Sequence, residues 1–568
     1  MTDHVNLTTP FEDGLSTAMP FPEYPRPSLM RDSYMNLNGE WDLEVRSMRG
    51  EVKYDGRILV PFAPESRLSG VGAYIDDTDG LVYRRAFTLP EGFNRGRVIL
   101  HFGACDQFCG VVLNGHEVGS HTGGYLPFEF DVTDLLISGE NELRVGVTDP
   151  LDMNFAYGKQ CKKSHGMWYT KISGIWQTVW LESVPDVYVR RLEVETDLTG
   201  VTIKVEGGEK EKRVLLDGKE YTFSGDSIRI DLDEPRLWSP DDPYLYHFEL
   251  ACGEDTVRSY FGLRTVEVGE GKGGPTILVN GKPTFFHGLL DQGYYPDGIF
   301  LPATAEGFLS DIKRMKACGF NMLRKHIKIE PELFYYYCDT VGMFVFQDMV
   351  NSGKYSFIRD TALPTIGIKR GIKRFAPKVQ REEFFRQSEG TLRLLKNHPS
   401  VVYWTIFNEG WGQFDPKGAY RRLAPLDKSR VWDTTSGWFK TSATDVISDH
   451  VYFKRVKPKG RRNKPWVLSE FGGYSLKVEG HVFRSDKAYG YKTFDSAEAL
   501  TRGLVDLYDG EIIPAIRAGL CASVLTQVSD VEEEINGLLT YDRRVIKVDE
   551  KEMLKVAERL RAEFEKHN

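Results

Sequence analysis

The chain has 568 residues, 41% of them hydrophobic and 27% charged; at roughly 150 residues per domain this is room for three to four domains, not one small module. Its 55 Gly and 27 Pro are scattered and form no repeat, which excludes collagen-like, coiled-coil and disordered organisation. The net charge of −9 excludes nucleic acid or an anionic membrane as a partner of the whole surface, so any basic feature must be local.

The opening segment lacks a basic start followed by an apolar stretch, and no run of about 18 apolar residues occurs. A soluble, cytoplasmic protein with no membrane partner is expected. The seven Cys show no metal-knuckle spacing; Cys105 and Cys109 are the closest pair, and buried reduced thiols are expected. From Asn38 to about Glu182, short runs alternate apolar and polar residues between Gly, Asn and Asp, a β-sandwich pattern. LVYRRAFTL (81–89), RVILHFGA (97–104) and ELRVGV (142–147) are examples, and Asn114-Gly115 predicts a tight type I′ hairpin turn. A second strand-rich stretch, from Val187 to about Val268, suits a small immunoglobulin-like sandwich. After about Gly269 short apolar runs alternate with helical segments at 305–317, 331–340 and 381–396. Eight strand candidates in this order predict a barrel of eight parallel strands. The expected domains are 1–184, 185–268 and 269–568.

Aromatic residues reach 12% of the chain, with 27 Tyr, 33 Phe and 10 Trp; they fill β-rich cores and also line sugar-binding clefts. Barrel active sites lie where the strands end, so polar residues that close apolar runs are the first candidates. Glu409 closes VVYWTIFNE and Glu470 closes PWVLSE. Opposed across a barrel mouth they would form the carboxylate pair that cleaves glycosidic bonds. Structural ion pairing explains two buried carboxylates equally well on the pattern alone.

Several dispersed motifs then carry a resemblance. YPRPSLMRDSYMNLNGEWDLEV, SGIWQTVWLE, PRLWSPDDPYLY, YFGLRTVEV, GFNMLRKHIKIEPELFYYYCDTVGMFVFQDM, NHPSVVYWTIFNEGWGQF and WVLSEFGG stand in order along the chain. Together they resemble glycoside hydrolase family two, which holds β-galactosidases, β-glucuronidases and β-mannosidases. The resemblance implies an N-terminal jelly-roll β-sandwich, an immunoglobulin-like β-sandwich and a (β/α)8 TIM barrel, with an oligosaccharide or glycoconjugate as substrate. It also implies that Glu409 is the general acid/base and Glu470 the nucleophile of a retaining mechanism. Arg324 and Tyr452 are the implied donors to Glu470, and Asn408 the contact to the substrate 2-hydroxyl. Asp291, Gln292, His326, Asp348, Trp438 and Gln527 follow or end strands and are placed to line the sugar pocket, or to buttress it. Trp411 and Trp438 are candidates to stack on a sugar ring, with wall packing the alternative. His450 reads as a buried hydrogen-bonded histidine, with a pocket ligand the alternative, and His287 as core.

Three departures matter. QDMVNSGKYS stands where the large β-galactosidases carry an acidic metal-binding segment, so no catalytic magnesium and no other cofactor is expected. Asn536-Gly537-Leu538 replaces the Asn-x-Lys of β-glucuronidases, and Lys325-His326-Ile327-Lys328 the Trp-Gly-Gly of β-mannosidases. Two basic loops follow strands: 351–380, with Lys354, Arg359, Lys369, Arg370, Lys373, Arg374 and Lys378 against Asp360 alone, and 454–464, KRVKPKGRRNK. They would steer an anionic substrate such as a uronic-acid-bearing oligosaccharide, or simply be solvated or form a contact of a homo-oligomer. The leading expectation is a retaining exo-glycosidase for a terminal β-linked sugar, β-galactosidase-like, with a uronic acid or an α-L-arabinoside as alternatives. The reading from another class is a non-catalytic carbohydrate-binding protein.

Overall fold

The computed structural model describes residues 7–365, 368, 375–452, 454–458 and 463–568. Parts of both basic loops, including Lys369, Arg370, Lys373, Arg374, Lys459, Arg461 and Arg462, lie outside the described residues.

Alternation builds the first sandwich. In Gly39–Arg46 and Glu140–Thr148, Trp41, Leu43, Val45, Leu143, Val145 and Val147 share the buried face while Glu40, Asp42, Glu142 and Arg144 face solvent. These strands belong to a six-stranded sheet that packs on a four-stranded one made of Tyr34–Asn36, Val179–Val184, Arg97–Phe102 and Phe128–Asp131. The predicted turn is present, with Asn114 at φ 52° and Gly115 at φ 82°, the left-handed values a type I′ turn requires.

Val179–Val184 is buried on both faces. Val179 and Leu181 enter the sandwich core, whereas Glu182, on the other face, receives Arg26 and Arg31 from the N-terminal arm at 2.8 and 3.0 Å. Arg31 also grips Asp255 of the second sandwich at 2.9 Å. A carboxylate this buried is tolerated only when paired, and the pairing ties the arm to both sandwiches. The second sandwich places Val189–Thr196, Gly200–Gly207 and Ser227–Asp231 against a four-stranded sheet of Lys219–Ser224, Glu211–Leu216, Tyr246–Cys252 and Asp255–Phe261.

The barrel strands are β1 (Phe286–Asp291), β2 (Met322–Lys325), β3 (Phe344–Asp348), β4 (Val401–Asn408), β5 (Val431–Ser436), β6 (Ile447–Val451), β7 (Trp466–Gly472) and β8 (Leu520–Thr526). They pair in parallel in the order β5-β4-β3-β2-β1-β8-β7-β6. Every residue of β1, β4 and β7 is buried, as expected of strands covered on both faces. The three predicted helices span Glu306–Ala317, Glu332–Val341 and Lys378–Leu395. Pro331 and Pro377 stand immediately before the last two, where a missing N–H costs little.

β5 and β6 are the edges of a nearly closed barrel. Among the described residues no strand pairing joins them and the β5–β6 connection, 437–446, carries no helix. Side chains cross the seam instead: Ser448 Oγ donates to Asp433 Oδ1 at 3.0 Å, and Ser436 Oγ meets His450 Nε2 at 3.1 Å.

Candidate active site

The strand ends bring the polar residues together. Arg324, from β2 and 1% exposed, reaches three ways. Its Nε donates to Asp348 Oδ1 at 3.0 Å, its Nη1 to Glu470 Oε1 at 3.0 Å, and its Nη2 to Asn408 Oδ1 at 2.9 Å. The other oxygen of Glu470 accepts from the Tyr452 hydroxyl at 2.5 Å. Both oxygens of Glu470 thus accept from donors, one of them the Arg324 cation, an environment that suits the carboxylate form. Burial first, and then the Glu470 charge, push the Tyr452 hydroxyl well above its ordinary range, so it remains a donor.

Behind this clamp His326 Nδ1 lies 2.7 Å from Asp348 Oδ2. Burial first, and the Lys159 charge next, bring the His326 imidazole down to about 4. The ring is therefore neutral near pH 7 and donates as a neutral N–H. Asp348 is held at about 2 against the burial that would raise it, by Arg324 above all.

Glu409 stands one residue past β4 with φ at +53°, a left-handed backbone that a non-glycine residue adopts only under constraint. Its N–H donates to the Ser436 carbonyl at 3.0 Å, and its Oε1 meets His450 Nδ1 at 2.8 Å. The Glu409 side chain is 17% exposed against 5% for Glu470, so Glu409 is the more open to an incoming molecule. Glu409, His450 and Glu470 present donor atoms within 4.8 Å of one another. Such a trio has the chemistry of a divalent-cation site, but the buried Arg324 guanidinium already sets a positive charge 3.0 Å from Glu470 Oε1, which opposes a second cation there.

The remaining sequence candidates divide. Gln292 Nε2 donates to Gln527 Oε1 at 2.9 Å, and Gln527 Nε2 to Asn536 Oδ1 at 2.7 Å, an amide chain beside β8. Asp291 turns to Lys325, 2.7 Å away, in a buried ionic cluster with Glu330. Trp438 is half-buried with its ring 6.2 Å from that of His450. Trp411 is wall: its Nε1 donates to the Gly353 carbonyl at 2.7 Å, and its ring meets Trp168 edge-on at 4.8 Å.

Trp168 belongs to the first sandwich, whose loop reaches the barrel. Tyr157 donates to the Gly353 carbonyl at 2.9 Å, Tyr169 to Glu534 Oε2 at 2.5 Å, and the Thr170 N–H to Glu532 Oε1 at 2.8 Å. Trp168 also packs 4.9 Å from Tyr355, which walls the mouth beside Trp411.

Family models account for the chain in three consecutive pieces. The sugar binding domain of glycosyl hydrolases family 2 matches residues 72–185, a glycosyl hydrolases family 2 model matches 186–264, and the family's TIM barrel domain matches 272–494. The chain belongs to glycosyl hydrolases family 2.

Among relatives within this family, a β-galactosidase of Halalkalibacterium halodurans is 25% identical over 438 residues, covering 70% of this chain and 41% of that protein. The chain thus spans well under half the length of that relative. A β-glucuronidase of Chlorocebus aethiops is 27% identical over 402 residues, covering 61% of this chain and 58% of its own. The solved β-glucuronidase of an uncultured Clostridium sp. superposes with a TM-score of 0.72 at 18% identity, covering 96% of this chain and 100% of that one, a likeness of fold. Among the described residues no helix is long and apolar enough to cross a membrane.

Sequence reasoning did not find the Glu532–Glu534 run as a dock for the first sandwich. Its signal was present: three consecutive acids, 3%, 7% and 4% exposed, are costly to bury without donors. Burial pushes Glu532 up to about 6. Nor did it place His450 between Glu409 and Glu470, which depends on the β5–β6 seam.

Proposed function

We propose that the chain is a retaining exo-glycosidase that removes a terminal β-linked sugar, β-galactosidase-like, from an oligosaccharide or glycoconjugate. The observation that carries this reading is that one carboxyl oxygen of Glu409 and one of Glu470 lie within 4.8 Å of each other, on the close side of the two known arrangements. Direct attack on the anomeric carbon needs carboxyls about 5 to 5.5 Å apart, whereas an inverting enzyme must leave roughly 6.5 to 9.5 Å for a water.

In the first step Glu409 gives its proton to the leaving oxygen while Glu470, ionised and held by Arg324 and Tyr452, attacks the anomeric carbon. A covalent glycosyl ester forms. In the second step Glu409 takes a proton from water, whose oxygen displaces Glu470 with the β configuration kept. Asn408 has its Oδ1 held by Arg324, which turns its amide N–H donors to the substrate 2-hydroxyl, a bond that strengthens at the oxocarbenium-like transition state. Trp168 of the first sandwich packs against Tyr355 and Trp411, a wall that would suit removal of a terminal sugar.

A panel of nitrophenyl glycosides on the wild type and on Glu470→Gln tests this. Hydrolysis of a β-glycoside lost in the variant is expected; sugar binding with no hydrolysis of any glycoside would mark a binding protein instead. A terminal uronic acid is a second reading. Lys159, from the first sandwich, lies close enough to His326 to depress its imidazole, and among the described residues it forms no ion pair. If a uronide is the substrate, Lys159→Met raises KM for it and leaves neutral glycosides unchanged.

A further inference from the structure

His450 occupies a place that the two-carboxylate scheme leaves unexplained. Its Nδ1 stands 2.8 Å from Glu409 Oε1 and 3.4 Å from Glu470 Oε2. The imidazole is 0% exposed, so it exchanges no proton with bulk water directly. An imidazole lone pair and a carboxylate lone pair do not approach to this distance without a proton between them. The Glu409–His450 contact therefore holds one.

A relay across the barrel seam sets which nitrogen carries the ring's own hydrogen. Ser436 Oγ donates to Ser469 Oγ at 2.9 Å, and Ser469 Oγ donates to the Asp449 carbonyl at 3.4 Å. With its hydrogen committed to Ser469, Ser436 accepts from His450 Nε2 at 3.1 Å. The Nε2–H tautomer leaves the Nδ1 lone pair facing Glu409. A separate observation shows that the backbone makes room for the ring: a Cβ on Gly437 would come within 2.6 Å of the imidazole Cγ. The other charged groups that face the ring are Glu470 on β7 and Asp433 on β5, whose Oδ1 accepts from Ser448. Lys440, beyond them, is paired with Asp449.

We propose that His450 is a positioning residue that holds, together with Glu409, the single proton the leaving group takes. This rests on the reading of Glu409 as general acid/base. As the bond between the anomeric carbon and the leaving oxygen breaks, its electron pair stays on that oxygen, which takes the proton from Glu409. Glu470 forms the new bond to carbon. In the second step the proton of the attacking water returns to the Glu409–His450 pair as the ester bond to Glu470 breaks, with its electrons left on Glu470.

The experiment compares kcat/KM, which reports the first step, for a phenyl and a 2,4-dinitrophenyl glycoside of the preferred sugar. The dinitrophenolate leaves without help from an acid; phenolate does not. In His450→Asn the phenyl glycoside loses about 100-fold, the lower range of general-acid catalysis, and the dinitrophenyl glycoside changes less than about 3-fold. The basic limb of the phenyl glycoside's pH profile moves to lower pH, because a lone carboxyl replaces the carboxyl–imidazole pair as holder of the proton. Ser436→Ala, which removes the relay hydroxyl and keeps the backbone carbonyl that accepts from the Glu409 N–H, shows the same leaving-group selectivity at smaller size, so a folding defect in His450→Asn does not decide the matter. Equal losses on both substrates, or no loss on either, overturn the proposal. Glu409→Ala on the same pair separates the two ideas: if it too lacks leaving-group selectivity, the acid/base reading fails, and if it alone shows it, only the role of His450 fails.

Discussion

The hydroxyl of Tyr452 lies 2.5 Å from Oε2 of Glu470. It donates at every working pH because burial and the Glu470 charge hold it protonated, and its ring stays in place by stacking 4.2 Å from Tyr491. Tyr452→Phe therefore deletes one hydrogen bond to a charged group, an interaction of roughly 1.5–3 kcal/mol. We expect kcat/KM to fall about 10- to 100-fold and Tm to fall modestly, because this bond and a second one to Thr526 Oγ1 at 2.9 Å are already made in the folded enzyme. Steady-state kinetics beside a thermal melt checks this, and a large drop in Tm would assign Tyr452 to the fold instead.

Arg324 serves three acceptors at once, Asp348, Glu470 and Asn408, at 2.9–3.0 Å. Arg324→Met strands two buried carboxylates, a loss of roughly 3–5 kcal/mol in stability. Arg324→Lys restores little, since one ammonium cannot replace a planar fork with separate donors. Urea unfolding of both variants against the wild type measures this; wild-type stability in Arg324→Lys would show that charge alone matters.

The first sandwich is expected to act on binding through Trp168, which touches Trp411 and Tyr355 at 4.8 and 4.9 Å. Trp168→Ala removes that wall without touching Glu409 or Glu470. KM is predicted to rise about 10-fold, equivalent to ~1.4 kcal/mol of lost contact, with kcat within a factor of about three. A fall in kcat at constant KM would place Trp168 nearer the reacting atoms than the structure does.

Some of this was legible in the sequence for a physical reason. A carboxylate at the end of a largely apolar run, as in VVYWTIFNE and PWVLSE, has to be accounted for, and barrel topology says where such ends meet. Arg324 and Tyr452 were legible only through the family resemblance, by their places at the ends of β2 and β6. What stayed hidden depends on contacts between distant segments. Trp411 could have faced a sugar or a neighbour, and the choice falls to Trp168 in another domain. The run at Glu532–Glu534 gave no hint of its donors, which lie in the loop of the first sandwich. His450 sits on a strand whose residues are mostly half-buried, so periodicity gave it no face. Its place follows from the side chains that bridge β5 and β6.

His287, within β1, offers a test of buried histidine that leaves the active site alone. Its ring stacks 4.3 Å from Phe320, and among the described residues neither ring nitrogen has a hydrogen-bond partner. Burial brings its imidazole from 6.5 down to about 3. The folded protein thus refuses a proton that the unfolded chain accepts below about 6.5, so stability falls as pH drops through the window from 6.5 to 3. Over this window each unit costs roughly 1.4 kcal/mol, or about 2 kcal/mol at pH 5. His287→Phe removes both the unsatisfied nitrogens and the titration, and a ring already stacked on Phe320 is replaced by one of similar shape. Its urea midpoint is expected to equal or exceed that of the wild type at pH 7 and to exceed it by more at pH 5. If the difference between the two proteins is the same at both pH values, His287 does not titrate in the unfolded state as argued, or is not neutral in the fold.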